Sequence, residues 1–155
     1  TPSVADTDIA LWQKIMDTNL SGTFLCSRYA ARIMREKKRG KIVSVSSIAG
    51  RKASPGMGVY GIAKAAIEML TRVMASELAS CNIQVNAVAP CMVRTEFSKP
   101  FWSNSAIYEQ VVRTIPAGRI AEAMDVVHPV LFLASDASDF ITGQTIVVDG
   151  GATAI

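Results

Sequence analysis

A tyrosine and a lysine four residues apart are the residues of this chain best suited to proton transfer. Tyr60 and Lys64 lie at the start of a predicted helix. Because four residues are slightly more than one helical turn, both side chains lie on the same helix face. A phenol titrates near pH ~10 and a nearby ammonium favours its ionised form, so we expect Lys64 to lower the pKa of Tyr60 toward neutrality.

A serine thirteen residues before the tyrosine completes the predicted site. Ser47 follows a short β-like segment, and its hydroxyl can hydrogen-bond the oxygen that gains or loses the proton. Ser46 is the neighbouring alternative, but strand alternation directs only one of the two side chains into a cleft. The Tyr-x-x-x-Lys spacing by itself more often marks a solvated helix face, so the surrounding elements must support the assignment.

Helical and strand patterns alternate along the chain. The first helix begins at a cap on Asp6 or Asp8 and runs to about Arg39, with a bend expected at 21–22. The predicted strands are 41–46, 83–89 and 145–148, and the later predicted helices are 59–80, 105–114 and 122–135. This alternation predicts an α/β fold with βαβ units and a parallel sheet.

Composition restricts the class of protein. The chain has 155 residues, of which 50% are hydrophobic and 19% charged, as expected for one globular domain. The net charge of +3 is dispersed except for a basic cluster at 35–41, which suits a helix end, so nucleic acid is not an expected partner.

Cysteine and histidine usage argues against a metal site or a disulfide framework. The three cysteines form no C-x-x-C pair, and His128 is the single histidine. An odd number of cysteines indicates a reducing compartment. No apolar run approaches the ~20 residues that span a bilayer, and no signal-peptide core is present at the N-terminus, so we expect a cytoplasmic protein without a membrane partner.

The segment Gly56–Gly61 matches the dinucleotide-binding pattern G-x-G-x-x-G letter by letter. That fingerprint requires its first glycine directly at the carboxyl end of a strand. Here residues 47–55 intervene between strand and glycine, so we interpret the segment as a flexible turn that lets Tyr60 enter its helix.

Five short motifs occur in a fixed order and cover essentially the whole chain. They are Asn19-Leu20-Ser21-Gly22, the strand ending at Ser46-Ser47, Tyr60-x-x-x-Lys64, Asn86-Ala87-Val88-Ala89-Pro90, and Thr142-Gly143 through Asp149-Gly150-Gly151. As an ordered set they resemble the short-chain dehydrogenase/reductase family. The resemblance implies a Rossmann-like doubly wound parallel sheet and a nicotinamide cofactor, either NAD or NADP.

The resemblance also implies a role for each site residue. Tyr60 would be the general acid or base, and Lys64 would lower its pKa and bind the nicotinamide ribose hydroxyls. Ser47 would polarise the substrate carbonyl, and Asn19 would hold a water that connects Lys64 to solvent. The alternatives are structural: Asn19 as a helix-bend residue, and Ser47 as a turn-former that bonds its own backbone.

The segment after the second strand departs from the family pattern. Family members usually have Pro-Gly there, then a hydrophobic residue and a threonine that touch the nicotinamide carboxamide. Pro90, Val93 and Thr95 match, but Cys91 replaces the glycine. Its side chain is expected to crowd the cofactor or to alter the backbone angle.

Residues 91–104 are predicted to be irregular and to cover the substrate pocket. Their aromatic side chains, Phe97, Phe101 and Trp102, would exclude water and shape specificity, and Tyr108 in the next helix is a further candidate.

The resemblance implies that part of the family's domain precedes this chain. We therefore expect residues 1–155 to be the C-terminal part of a single Rossmann-type domain, with the doubly wound sheet incomplete. At roughly 30 residues per βαβ unit, about 90 residues with the glycine-rich cofactor cradle would lie upstream. The strand at 41–46 would then present an open apolar edge.

Two long helices are apolar on more than one face. The resemblance implies that helices 8–39 and 59–80 pair across a dimer axis and build a homo-oligomer, a dimer or a tetramer. Burial of the same faces within one monomer is the alternative.

Three functions follow from these observations. The first is an NAD(P)-dependent oxidoreductase that interconverts a small-molecule secondary alcohol and a ketone. The second is a truncated, non-catalytic assembly or binding module of the same fold. The third is a cysteine hydrolase in which Cys91 is activated by His128, although no third orienting group is apparent.

Overall fold

The computed structural model describes residues 2–154, in which helices and strands alternate. The helices are α1 (Ile9–Met16), α2 (Gly22–Lys37), α3 (Gly58–Leu78), α4 (Lys99–Trp102), α5 (Ser105–Val112) and α6 (Ala123–Ala134). The strands are β1 (Gly40–Val45), β2 (Ile83–Pro90) and β3 (Thr145–Val148), and short 3₁₀ turns occupy Ile48–Gly50, Ala79–Cys81 and Asp136–Ser138. The predicted α/β class is confirmed. Across the described residues, no helix has both the length and the apolar character needed to cross a bilayer.

The strands form one parallel sheet in the order β1-β2-β3. Gly40 lies opposite Ile83, and Ala87 lies opposite Thr145. Every residue of β2 is buried, as expected for an apolar strand at the centre of a parallel sheet. Within residues 2–154, β1 pairs with β2 alone, so the open edge predicted for this strand is confirmed.

The sheet is covered on both faces. Ile42 and Val85 pack in one core cluster with residues of α2 and α3. Because successive side chains of a strand point to opposite faces, Lys41 lies on the other face. There its Nζ donates to Ser138 Oγ at 3.2 Å and to Asp139 Oδ1 at 2.6 Å, just after α6.

A buried amide ties the central strand to the loop that enters β3. Asn86 is 1% exposed, and its Nδ2 donates to the carbonyl of Ile141 at 2.8 Å. Its Oδ1 accepts from the backbone N–H of Gln144 at 3.0 Å. Burial of this amide is tolerated because both of its polar atoms are hydrogen-bonded.

The long first helix is interrupted. Asp8 caps α1 and accepts from the N–H of Leu11, which selects one of the two predicted caps. The chain then passes through a π-helical segment at Asp17–Ser21 before α2 begins. The predicted bend therefore extends over a whole turn before 21–22, since the wider π turn inserts an extra residue into the helix.

The prediction that residues 91–104 contain no regular structure is wrong in one place. Residues Lys99–Trp102 form the short helix α4. Pro100 lies in its first turn, where the missing N–H would have no helical partner, so the proline is compatible with the helix.

Two glycines allow the Ile48–Gly50 turn to lie directly on α3. A Cβ at Gly50 would lie 2.7 Å from the backbone nitrogen of Ala65, and one at Gly61 would lie 2.5 Å from the carbonyl oxygen of Ala49. Both neighbours are backbone atoms, which cannot rotate away as a side-chain end can. Gly61 is thus needed for close packing, which its place in the G-x-G-x-x-G match did not indicate.

We predict that Gly50→Ala and Gly61→Ala each lower the free energy of unfolding by about 1–3 kcal/mol, because the added methyl forces the turn away from α3. Urea denaturation measures the change. Gly22→Ala is the matched control, since the nearest atom to its added Cβ is 3.6 Å away. Equal effects at all three glycines would contradict the packing argument.

Candidate active site

The two serines after β1 point to different places. Ser46 is buried, and its Oγ donates to the Lys64 carbonyl at 2.9 Å and to Glu68 Oε1 at 3.2 Å. The Oγ of Ser47 instead reaches the carbonyl oxygen of Pro90, at 3.5 Å, at the end of β2. Ser47 is therefore the serine at the carboxyl edge of the sheet, which is the side on which ligands bind in open α/β folds.

Ser47 also has the structural role weighed as its alternative. It caps the Ile48–Gly50 turn by accepting from the N–H of Ala49 at 3.2 Å. One hydroxyl thus fixes the turn and faces the strand ends, so the two roles do not exclude each other.

Tyr60 and Lys64 lie on one face of α3, as their spacing predicts. The Lys64 Nζ is 5.4 Å from the centroid of the Tyr60 ring, and it donates to the carbonyl of Val45 at 3.0 Å. That carbonyl belongs to the last residue of β1, two residues before Ser47. Helix and strand end thereby bring Ser47, Tyr60 and Lys64 together.

The expected lowering of the Tyr60 pKa is wrong for this structure. Burial raises the pKa of Tyr60 above its ordinary value, and the hydrogen bond of the Ser47 side chain acts in the opposite direction but is the smaller effect. Lys64 lies over the ring and is anchored to Val45, and burial lowers the pKa of its own ammonium. The neutral phenol is therefore the stable form at neutral pH.

Asn19 lies in the π-helical segment. Its Nδ2 donates to the carbonyl of Ile15 at 3.0 Å, and its own carbonyl accepts from the Thr23 hydroxyl at 2.7 Å. Asn19 and Lys64 line the same groove of about 540 Å³ beside β1. Asn19 therefore has the helix-bend role, and it also lines the groove that contains the predicted catalytic lysine, Lys64.

The segment after β2 is anchored on both sides. Val93 forms a β-bridge with Ala121, and the N–H of Arg94 donates to the Ala121 carbonyl at 2.8 Å. The hydroxyl of Thr95 lies 3.2 Å from the buried Ser98 Oγ, which also accepts from the Thr95 N–H at 3.0 Å. Pro90, Val93 and Thr95 therefore begin a fixed turn at the end of the central strand.

Cys91 occupies its position without backbone strain. Among the described non-glycine residues, a positive φ occurs at Lys38 and Asn82 alone, so Cys91 does not adopt the left-handed conformation that favours glycine. The crowding of the cofactor or the change in backbone angle expected from replacement of the family's glycine stays a prediction. The Cys91 side chain packs against the cluster of Ile115 and Ile120. Burial, then the negative charge of Asp149, raises the pKa of the thiol, which disfavours the thiolate that a hydrolase would need.

The three aromatic residues assigned to the substrate pocket differ in their surroundings. Phe97 is 94% exposed and Phe101 is 42% exposed. Trp102 and Tyr108 pack against the buried cluster of Ile115 and Ile120, which Ile48 and Cys91 also contact. Trp102 therefore shares a core cluster with Ile48 of the turn that Ser47 caps, whereas the position of all three aromatic residues over a substrate pocket stays a prediction.

Sequence reasoning missed an arginine that holds this aromatic segment. The Arg94 guanidinium carbon lies 5.1 Å from the Trp102 ring centroid and 6.0 Å from that of Tyr108. Arg94 Nε also pairs with Glu122 at 3.2 Å. An arginine next to a segment rich in aromatic residues was the available signal, because guanidinium groups stack on aromatic faces.

Almost the whole of this chain is similar in sequence to known proteins. Residues 1–153 match the family described as enoyl-(acyl carrier protein) reductase. A 3-oxoacyl-[acyl-carrier-protein] reductase of Synechocystis is 38% identical over 90% of this chain and 55% of its own length. Dehydrogenase/reductase SDR family member 4 of Bos taurus is 37% identical over 97% of this chain and 54% of its own length.

A solved structure is similar to this chain in both fold and sequence. The gluconate 5-dehydrogenase of Burkholderia cenocepacia, in complex with NADP and tartrate, superimposes with a TM-score of 0.95 and 33% identity over 99% of this chain and 60% of its own length. This chain therefore spans a little over half the length of these three relatives.

We predict that Ser47→Ala raises the pKa of Tyr60 further, because it removes the hydrogen bond that opposes the effect of burial. Phenolate absorbance measures the titration, and the curve of the Tyr60→Phe variant is subtracted to remove the signal of the other tyrosines. The comparison is limited to the pH range in which circular dichroism shows an intact fold. Ser54→Ala, in the same loop, serves as the control. A titration of Tyr60 that stays unchanged in Ser47→Ala would refute the contact.

Proposed function

Because this chain belongs to the short-chain dehydrogenase/reductase family, we propose that it is the catalytic part of an NAD(P)-dependent oxidoreductase that interconverts a secondary alcohol and a ketone. The observation that carries the proposal is the half-buried Tyr60 phenol, with the Ser47 hydroxyl and the Lys64 ammonium beside it. A proton donor, a second hydrogen-bond donor and a fixed positive charge are what reduction of a carbonyl requires.

The donor groups at this end of the sheet fit the nicotinamide end of the cofactor. The carbonyl of Val45 accepts one of the three N–H protons of Lys64, which leaves two for the ribose hydroxyls. Pro90, Val93 and Thr95 would contact the carboxamide from the anchored turn. When bound, the cofactor would supply or accept a hydride at C4 of its ring, and either NAD or NADP suits these contacts.

Tyr60 acts as the general acid when the carbonyl is reduced. Its raised pKa keeps the phenol protonated at neutral pH, so the proton is available for the oxygen that gains negative charge. Ser47 donates a hydrogen bond to the same oxygen. Asn19, in the same groove as Lys64, holds a water that returns the proton from solvent to Tyr60 by way of Lys64.

The substrate is a small molecule that carries a secondary alcohol or a ketone. The names of two relatives contain this chemistry, a 3-oxoacyl group in one and carbon 5 of gluconate in the other. Trp102 packs against the cluster that Ile48 of the Ser47 turn also contacts, and Phe97 and Phe101 are exposed on the same segment, where a substrate could contact them. This segment is the part of the chain that we expect to select the substrate.

We predict that Tyr60→Phe lowers turnover by about 10²–10⁴-fold while cofactor binding is largely kept, because the phenol supplies the proton and the lysine supplies the ribose contacts. Absorbance of NADPH at 340 nm measures turnover with a 3-oxoacyl thioester or with gluconate. Tyr29→Phe, on the exposed face of α2, is the matched control. Near-normal turnover of Tyr60→Phe would count heavily against the proposal.

A non-catalytic assembly module is the second candidate, and the unpaired side of β1 favours it. Within residues 2–154 this edge offers free backbone groups to another chain segment. Titration with NADPH, followed by tryptophan fluorescence, separates the two candidates. A saturable change supports the oxidoreductase, and the absence of any change supports the module.

We also propose a homo-oligomer formed through α2 and α3. Large apolar side chains are exposed at helical spacing on both helices: Leu25, Tyr29 and Ile33 on α2, and Ile62, Met69 and Val73 on α3. Apolar stripes of this kind on a folded surface are typical of protein interfaces.

We predict that Met69→Lys shifts the protein toward monomer in sedimentation velocity, because a buried lysine in the interface would lack a partner. Phe140→Lys is the control, as Phe140 is fully exposed outside both helices. An unchanged oligomeric state in Met69→Lys would exclude the α3 face as the interface.

We place the protein in the reducing cytoplasm. Cys26, Cys81 and Cys91 are free thiols in the described part of the chain. Proteins of oxidising compartments usually pair their cysteines, so three unpaired thiols favour a reducing one.

A further inference from the structure

A buried carboxylate lies below the candidate site and takes no part in the proton transfer. Glu68 follows Lys64 by one turn of α3 and is 6% exposed. Arg51 holds it through three contacts: Nε to Oε1 at 3.0 Å, Nε to Oε2 at 3.1 Å, and Nη2 to Oε2 at 2.9 Å. A buried carboxylate is costly unless it is paired in this way, so the position requires an explanation.

The same carboxylate reaches both ends of the turn that Ser47 caps. Ser46, directly before Ser47, donates its hydroxyl to Glu68 Oε1 at 3.2 Å. Arg51 directly follows the Ile48–Gly50 turn, and its backbone N–H donates to Ile48 at 2.9 Å. One side chain of α3 thus binds the residue before Ser47 and the residue after the turn.

Stability by itself does not require an ion pair here. Apolar residues of similar volume often replace a buried pair without loss of stability, whereas the pair imposes directions that apolar packing does not. Glycine packing already brings the turn against α3, since a Cβ at Gly50 or Gly61 would collide with the backbone of Ala65 or Ala49. Glu68 adds hydrogen bonds that fix how far the turn can slide along the helix.

We propose that Glu68 is a positioning residue that sets the place of the Ser47 hydroxyl relative to Tyr60, acting through Ser46 and Arg51. The inference rests on the proposed function only in taking Ser47 and Tyr60 as the catalytic pair. The effect of the Ser47 hydroxyl on the titration of Tyr60 can be measured without substrate or cofactor. A failure of the enzyme proposal and a failure of this inference therefore give different results.

The test compares Glu68→Ala with Glu77→Ala, an exposed glutamate on the same helix. Native-state amide exchange by NMR reads the turn at the N–H groups of Ala49 and Gly50, with Val85 as the core reference. We expect exchange at the turn to accelerate at least about tenfold in Glu68→Ala, with no change at Val85, because bonds to a charged group are lost locally. If amide exchange accelerated equally throughout the chain, Glu68 would contribute only to overall stability, and the proposal would be overturned.

The second readout is the titration of Tyr60 by phenolate absorbance, which a purely structural role would not move. Glu68→Ala is expected to raise the pKa of Tyr60, as Ser47→Ala does. The double variant Ser47→Ala/Glu68→Ala is expected to have the same Tyr60 pKa as Ser47→Ala alone. Glu68→Gln keeps an acceptor oxygen for Ser46 and is expected to restore most of the wild-type titration. An unchanged titration in Glu68→Ala, or full additivity with Ser47→Ala, would overturn the inference.

The double variant Arg51→Met/Glu68→Met keeps the test decisive if Glu68→Ala does not fold. Replacing both partners with apolar side chains leaves no unpaired charge at the buried position. We expect the same direction of change at Ala49 and at Tyr60, and no effect at either position would refute the proposal. If Tyr60→Phe keeps normal turnover while these variants still shift the titration, the enzyme proposal fails and the positioning role stands.

Discussion

The packing of one 3₁₀ turn on one helix is the constraint on which the candidate site depends. Ser47 caps this turn, and Tyr60 and Lys64 lie on the helix beneath it. The two elements approach so closely that a Cβ at Gly50 or Gly61 would collide with backbone atoms. Because neither neighbour can rotate away, the backbone sets how closely the turn approaches the helix, and the hydrogen bonds of Glu68 then act within that fixed spacing.

The sheet supplies the other fixed point. Lys64 donates to the last carbonyl of β1, and Ser47 reaches the last carbonyl of β2, so strand ends and helix are joined at one edge. Parallel strands end on the same side of a sheet, which is why residues distant in sequence meet there. The groove beside β1, which contains Asn19, continues this edge toward the unpaired side of the sheet.

Much of the fold could be predicted from local patterns. The strand at 145–148 has the predicted bounds, and the other strands and the main helices lie within about two residues of prediction, the usual uncertainty at element ends. The π-helical segment at 17–21 and the helix at 99–102 were not predicted. A π turn leaves no simple periodic signal, and a helix of four residues is too short to display one.

Local spacing was sufficient to predict that Tyr60 and Lys64 share a helix face, because the period of the α-helix is a local property of the chain. Ordered motifs likewise identified the family. Long-range packing was needed to show which serine faces the strand ends, and that burial raises the Tyr60 pKa more than the Ser47 hydrogen bond lowers it. The tertiary structure also revealed the pairing of Glu68 with Arg51. Burial and pairing depend on which distant segments pack together, and no local spacing encodes that.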